Sequence, residues 1–327
     1  MTTEKRNEIP RYRDLPIDPS KPPGSAWGVF GEEDEVGTIN LLTPEHARRA
    51  AGLVRKGAVF SLNWSLEKPD PPILNRQQMK HTIIHLDPGT DDYYDNFYTQ
   101  VSSQWDALSH WPHPEHGYYN GRTLQDFTGK PGSKNGIDNW AERGIVGRYV
   151  LADVDRCRLE NGTPIRHEER DEITVDEVEA ALAGQGSSLG EGDVLLLRTG
   201  WIGWYEGTDE ATRAELGASG GQLRAPGLSP EERTLEWLWD HRISAVAADC
   251  PALEAIPPLP NPDDPSVEGF LHFRIIPLLG MAVGEMFVLD GLAEDCAADG
   301  VYEGLFTSAP LNKVGGSGSP ANALAIK

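Results

Sequence analysis

Cysteine is scarce in this chain: three among 327 residues, at 157, 250 and 296. An odd number, so widely spaced, argues against a disulfide framework or a thiolate metal cage. Positive charge is short as well. Twenty-nine basic residues face 51 acidic ones, a formal net charge of -22. Such a surface repels phosphate backbones and anionic lipid, so neither nucleic acid nor membrane is expected as a partner. The acidity itself reads as solubility. No apolar run approaches the roughly 20 residues of a spanning helix, and the opening "MTTEKRNEIPRYRD" holds no apolar signal segment. A cytoplasmic setting is therefore expected, with the sequon Asn161-Gly162-Thr163 idle. Walker A and dinucleotide glycine fingerprints are missing, and so are repeats and long linkers.

What is present alternates between helix and strand signals. Thr43 before Pro44 and Glu45 predicts an N-cap and a first-turn proline for "EHARRAAGLVRKG", closed at Gly57. Strands are predicted at "AVFSLNW", "KHTIIHL" (80–86), "GIVGRYVLADV" (144–154), "DVLLLRTG", "ISAVAADC" and "VYEGLFTSAP". Thr174 and Glu177 form a capping box for "VDEVEAALAG", and Ser229, Pro230 and Glu232 are read as the start of "EERTLEWLWDHR". The polar, Gly-rich stretch 206–227 reads as a loop or insertion. Together these predict an α/β fold with mixed strand directions, residues 1–327 as one domain. A Pro-rich arm at about 1–40 precedes it. Trp27 in that arm would be costly to leave in water, so the arm is expected to reach across a neighbour in a homodimer or homotetramer.

Several apparent motifs fail on context. Gly186-Ser187-Ser188-Leu189-Gly190 matches a nucleophile elbow, but a helix precedes it and a strand follows, the reverse of what an elbow needs. "HEERDE" has Asp171 where a zinc helix would place its second histidine. In "HWPHPEHG", Pro112 and Pro114 prevent a helix that would gather His110, His113 and His116. His113 and His116 are therefore read as an exposed loop.

The stretch "QVSSQWDALSHW" (100–111) is different. Gln100, Gln104, Asp106 and His110 all occupy even positions, so an extended backbone would point all four the same way. Farther on, His272 and Glu285 sit in the apolar "LHFRIIPLLGMAVGEMFVLDGLAED". Buried groups of this kind need partners. Read from the residues alone, they fit a core histidine with a surface glutamate, and Asp106 with His110 a structural hydrogen-bonded pair.

Taken together, the two segments resemble the putative cyclase superfamily, which includes bacterial kynurenine formamidase, isatin hydrolase and metal-dependent trans-dienelactone hydrolase. The family signature H-x-G-T-H-x-D-x-x-x-H runs here from Gln100 to His110; Asp106 and His110 match it, while Gln100 and Gln104 replace its first two histidines. "GSAWGVFGEEDEVGTINLLTPEH", "GIDNWAERGIVGRYVLADV", "AADCPALEAIP" and "PLNKVGGSGSPANALAI" extend the resemblance over nearly the whole chain, nearest to the trans-dienelactone hydrolase type. It implies a swivelling β/β/α fold, a mixed sheet with flanking helices, and metal-dependent hydrolysis of a cyclic ester or amide. Arylformamidase activity in the kynurenine pathway, polyketide-type cyclisation, or a metal-free binding protein descended from the scaffold are the alternatives. The implied metal ligands are Asp106, His272 and Glu285 with Gln104 in or beside the shell. His110 or Glu285 would move the proton. Amide oxygens are weak donors, so one divalent ion, Zn²⁺ or Mn²⁺, is expected instead of two. Alternatively, Gln100 and Gln104 only hydrogen-bond to substrate or water. Trp105, Trp111 and the tyrosines of "DDYYDNFY" are expected either to line a pocket for an unsaturated small molecule or to pack as core.

Overall fold

The computed structural model describes residues 9–259 and 269–327. Its framework is a nine-stranded sheet. Four parallel strands form the centre: β5 (Ile145–Asp153), β7 (Val194–Arg198), β9 (Ala245–Ala248) and β10 (Ala282–Glu285). The middle two, β7 and β9, are almost wholly Val, Leu and Ala because both faces are covered. All other pairings within this sheet are antiparallel. On one side β5 is followed by β11 (Glu303–Ser308), β13 (Ala323–Ile326) and β1 (Val59–Ser61). On the other, β10 is followed by β4 (Gln104–Asp106) and β12 (Gly318–Pro320). This is the mixed sheet with flanking helices expected of a cyclase-like fold. A two-residue pair, β6 (Glu172–Ile173) with β8 (Gly227–Leu228), lies apart from it.

Local chemistry sets the helix starts. Thr43 caps α1 (Pro44–Ala51), with His46 in the return position of the capping box, and Thr174 and Glu177 do the same for α4 (Val175–Gly184). The first helix stops at Gly52 and not at Gly57. Helix α7 (Glu232–Asp240) begins after Glu231, whose side chain makes no cap; Ser229 Oγ instead donates to Glu172 at 2.8 Å. The stretch 206–227 is partly helical, since Asp209 caps α6 (Glu210–Ala218). The remaining helices are α2 (Asp138–Arg143), α3 (Val154–Glu160), α5 (Trp201–Gly207), α8 (His272–Ile275) and α9 (Asp290–Asp299). Among the described residues, no helix is long and apolar enough to cross a membrane.

Of the Pro-rich arm, residues 1–8 lie outside the described residues. Trp27 is buried against its own chain, its Nε1 donating to the Pro277 carbonyl at 2.7 Å. Its burial therefore does not require a neighbouring protomer. The strands β2 (Lys80–Leu86) and β3 (Gly89–Asp95) form a hairpin outside the main sheet. Tyr93 and Tyr94 are about half exposed on it, so they do not line an internal pocket of this chain.

Candidate active site

Only three residues of the 100–111 stretch form a strand. Within β4, Gln104 and Asp106 share one face, while Gln100 and His110 reach the same place through turns. One of these turns is closed by the His110 amide donating to the Ala107 carbonyl at 2.9 Å. Convergence on one side was expected; a fully extended stretch was not the means. Gln100 donates from Nε2 to Asp106 Oδ1 at 2.6 Å and lies 2.9 Å from His110 Nδ1. Gly318 stands opposite Asp106 on β12, and a Cβ there would fall 2.7 Å from the Gln100 side chain. The missing side chain leaves the room through which Gln100 reaches Asp106.

The antiparallel register of β10 on β4 sets Glu285 directly across from Gln104. Opposed residues project to the same face, and Gln104 donates its Nε2–H to the Glu285 carboxylate. His272 enters from α8. Its Nε2 lies 3.0 Å from Glu285 Oε1 and 3.4 Å from Asp106 Oδ2. Its Nδ1 lies 2.8 Å from Glu254, whose carboxylate also accepts the His272 backbone N–H at 3.1 Å. An ionised carboxylate only accepts, so Nδ1 carries a proton and Nε2 is the atom presented to Asp106 and Glu285.

Gln100, Gln104, Asp106, His110, His272 and Glu285 are thus gathered in one place. Trp105 is not. It lies on the opposite face of β4, fully buried against Trp140, Phe287 and Phe306, with Nε1 donating to Ser308 Oγ at 2.9 Å. The strand's alternation that aims Gln104 and Asp106 at the site necessarily sends Trp105 into the core. Trp111 borders the cluster, edge-on to His110, Phe270 and Phe273, each with centroids 5.6 Å away. His113 stands apart and is buried, its ring stacked 4.5 Å from His116. Glu254 escaped the sequence reading. It lies inside "AADCPALEAIP", an acidic residue in an apolar run, which is the same signal that marked Glu285.

Three carboxylates, those of Asp106, Glu254 and Glu285, are therefore packed around one imidazole and are at most 3% exposed. Burial works against ionisation of Asp106, but His110 and His272 outweigh it and hold its carboxyl below the usual range. Burial and the Asp106 charge push Glu285 up. For His272, burial disfavours the cation, yet Glu254, Asp106 and Glu285 together raise its proton affinity. His110 is pushed down to about 4, chiefly by burial, and is neutral near pH 7.

The donor set fits a divalent cation. Asp106, His272 and Glu285 each offer a ligand atom, all within 4.8 Å of one another. Asp106 Oδ2 and Gln104 Oε1 are buried with no hydrogen-bond partner, a costly state for polar oxygens unless something electropositive faces them. One imidazolium cannot balance three carboxylates. Oxygen donors with one imidazole suit ions such as Mn²⁺ or Zn²⁺.

Comparison with known proteins agrees with this architecture. The family described as "Putative cyclase" matches residues 41–255. A crystal structure described as that of a novel cyclase superposes with a TM-score of 0.79 at 33% identity, covering 93% of this chain and 99% of the other. Isatin hydrolase A from Ralstonia solanacearum gives a TM-score of 0.58 at 20% identity, covering 88% of this chain and 98% of that one. Isatin hydrolase A from Labrenzia aggregata, bound to benzyl benzoate, gives 0.58 at 19% identity, with coverages of 84% and 94%. At these identities the isatin hydrolases share the fold. Among curated proteins, none matches the chain.

Proposed function

Because the chain belongs to this cyclase family, we propose that it is a metal-dependent hydrolase that opens a cyclic ester or amide by addition of water. The observation that carries the reading is the buried Asp106, His272 and Glu285 triad with two orphaned oxygens turned towards it. A metal-free binding role would leave three buried carboxylates around a single imidazole, an arrangement with no stabilising purpose.

One divalent ion, Zn²⁺ or Mn²⁺, held by Asp106, His272 and Glu285 with Gln104 Oε1 beside them, would supply Lewis acidity, lowering a water's pKa and polarising the substrate carbonyl. Glu254 fixes the tautomer and ring angle of His272. Gln100 steadies Asp106 and His110 at once. Neutral His110 accepts a proton from the attacking water as its oxygen bonds to the carbonyl carbon. When the ring C–O or C–N bond breaks, His110 returns that proton to the leaving oxygen or nitrogen. The product holds every atom of substrate and water as an acid beside a free hydroxyl or amine, and the acid then releases its proton to solvent to become a carboxylate. Trp111, Phe270 and Phe273 give the site an aromatic flank suited to a planar, unsaturated ring.

The test is a panel of lactones, cyclic imides and N-formyl anilines on metal-loaded and chelator-treated protein. Ring opening only by loaded protein supports the proposal; formyl anilines as the sole substrates would move it to arylformamidase chemistry. A second expectation concerns Glu254. Glu254→Gln keeps the side chain's shape but removes the charge that orients and strengthens His272. Affinity for the ion should fall about 10- to 100-fold, as read by competition with a chelating dye. Unchanged affinity would show that His272 is not a ligand.

A further inference from the structure

The strand that carries Glu285 ends in a kink. Met286, the next residue, is fully buried and adopts left-handed backbone, with φ of +52°. Among the described residues, eight non-glycine positions do so, and five of them are asparagine, whose short polar side chain tolerates the region. Of the other three, Leu74, Arg242 and Met286, only Met286 is buried. Strain of this kind persists where the surrounding structure holds it, and it gathers at functional sites.

The kink changes which way the chain faces. Within β10, Glu285 projects to the face shared with Gln104, and Gly284 lies on the face shared with Trp105. Unbroken alternation would return Phe287 to the side of Glu285. Instead the Phe287 ring packs on Trp105 with centroids 5.2 Å apart, and a Cβ on Gly284 would fall 2.7 Å from that ring. The residues on either side of Met286 therefore enter opposite layers, the carboxylate into the site and the ring into the core. The hydrogen bonds record the same break. Met286 donates its N–H to the Cys250 carbonyl at 3.1 Å, and Phe287 donates to the Ala248 carbonyl at 3.0 Å. The later amide meets the earlier acceptor, the reverse of regular parallel pairing. Ser103, beside Gln104, holds the kink from the neighbouring strand. Its Oγ accepts the Trp64 amide at 2.7 Å and donates to the Met286 carbonyl at 2.5 Å.

We infer that Met286 is a positioning residue for the metal site: its left-handed backbone separates Glu285 from Phe287 and aims the Glu285 carboxylate at Asp106 and His272. This deepens the hydrolase reading and rests on it. Irregularities that end a strand beside a site re-aim side chains in this way. With Phe287 anchored on Trp105, a regular strand through 286 would carry Glu285 out of line with Gln104. The role belongs to the backbone at 286. It depends on which conformations the side chain permits, and not on the volume that the side chain fills.

Three substitutions separate backbone from packing. Met286→Leu and Met286→Ile bury isomeric side chains, but the β-branched one resists positive φ. Met286→Gly enters that region freely and fills nothing. Affinity for Mn²⁺, read by competition with a chelating dye, should stay near wild type in Met286→Leu and Met286→Gly. It should fall about 10- to 100-fold in Met286→Ile, the range for loss of a group that orients a ligand. A packing role predicts another order, with Met286→Gly weakest and Met286→Ile close to Met286→Leu. That order, or equal affinity in all three, overturns the proposal. Ser103→Ala keeps the test open where Met286→Ile does not fold. It should weaken Mn²⁺ binding in the same range, and Ser103→Thr, which retains the hydroxyl, should restore it; unchanged affinity in Ser103→Ala overturns the proposal. Wild type that takes up no Mn²⁺ would instead sink the hydrolase reading. The ion-free crystal structure of Met286→Ile then decides the matter of the kink. Glu285 withdrawn from Gln104, or Phe287 from Trp105, supports it, and both left in place overturn it.

Discussion

Asp106→Ala is expected to abolish turnover and to release the divalent ion. Asp106 is fully buried, with Oδ1 held by Gln100 and Oδ2 left without a hydrogen bond. Its charge is secured by the two flanking histidines against the cost of burial. Glu285 is the other proposed carboxylate ligand, and its charged form is disfavoured by burial. Asp106 thus supplies the most dependable negative charge in the proposed set, and its loss leaves one imidazole, one reluctant carboxylate and an amide. Asp106→Asn separates charge from shape, because it retains an oxygen at nearly the same place. It should bind the ion far more weakly than wild type and turn over no better than Asp106→Ala. Elemental analysis after desalting, alongside turnover, checks both. Either variant retaining a full complement of ion would remove Asp106 from the ligand set.

His110→Ala should lose activity and keep the ion. The His110 Nε2 lies 3.6 Å from Asp106 Oδ1, beyond a hydrogen bond, and the ring sits on the more open side of the cluster beside Trp111. It is absent from the group of ligand atoms that converge within 4.8 Å. With its pKa pushed down to about 4 it is uncharged at neutral pH, free to take a proton from water. Loss of such a group lowers turnover on the order of 10²- to 10⁴-fold. If His110→Ala strips the ion as fully as Asp106→Ala, His110 is a ligand and the division of roles is wrong.

The fold was largely legible because its strands are strongly marked. "DVLLLRTG" and "ISAVAADC" are apolar without alternation, as parallel central strands must be, and Thr174 with Glu177 announces its helix. Boundaries were weaker. The sequence pattern carried the first helix to Gly57, yet α1, packed on β5 and β11, ends at Gly52. In the site, the even spacing of Gln104 and Asp106 was readable because a strand alternates. Gln100 and His110 arrive through turns, whose geometry a period of two does not describe. The alternation that located Asp106 should also have removed Trp105 from the pocket wall, since it occupies the odd position between. Glu254 carried the same signal as Glu285, an acidic residue in an apolar run, but its role is set by what stands next to it in space, His272.

The central claim is that Asp106, His272 and Glu285 form one metal site. The most direct measurement is the stoichiometry of divalent ion in purified protein loaded with Mn²⁺ or Zn²⁺ and then desalted. One ion per chain, lost together with ring-opening activity on chelation and restored with it, is the predicted result. No retained ion after loading, or two ions per chain, would contradict it.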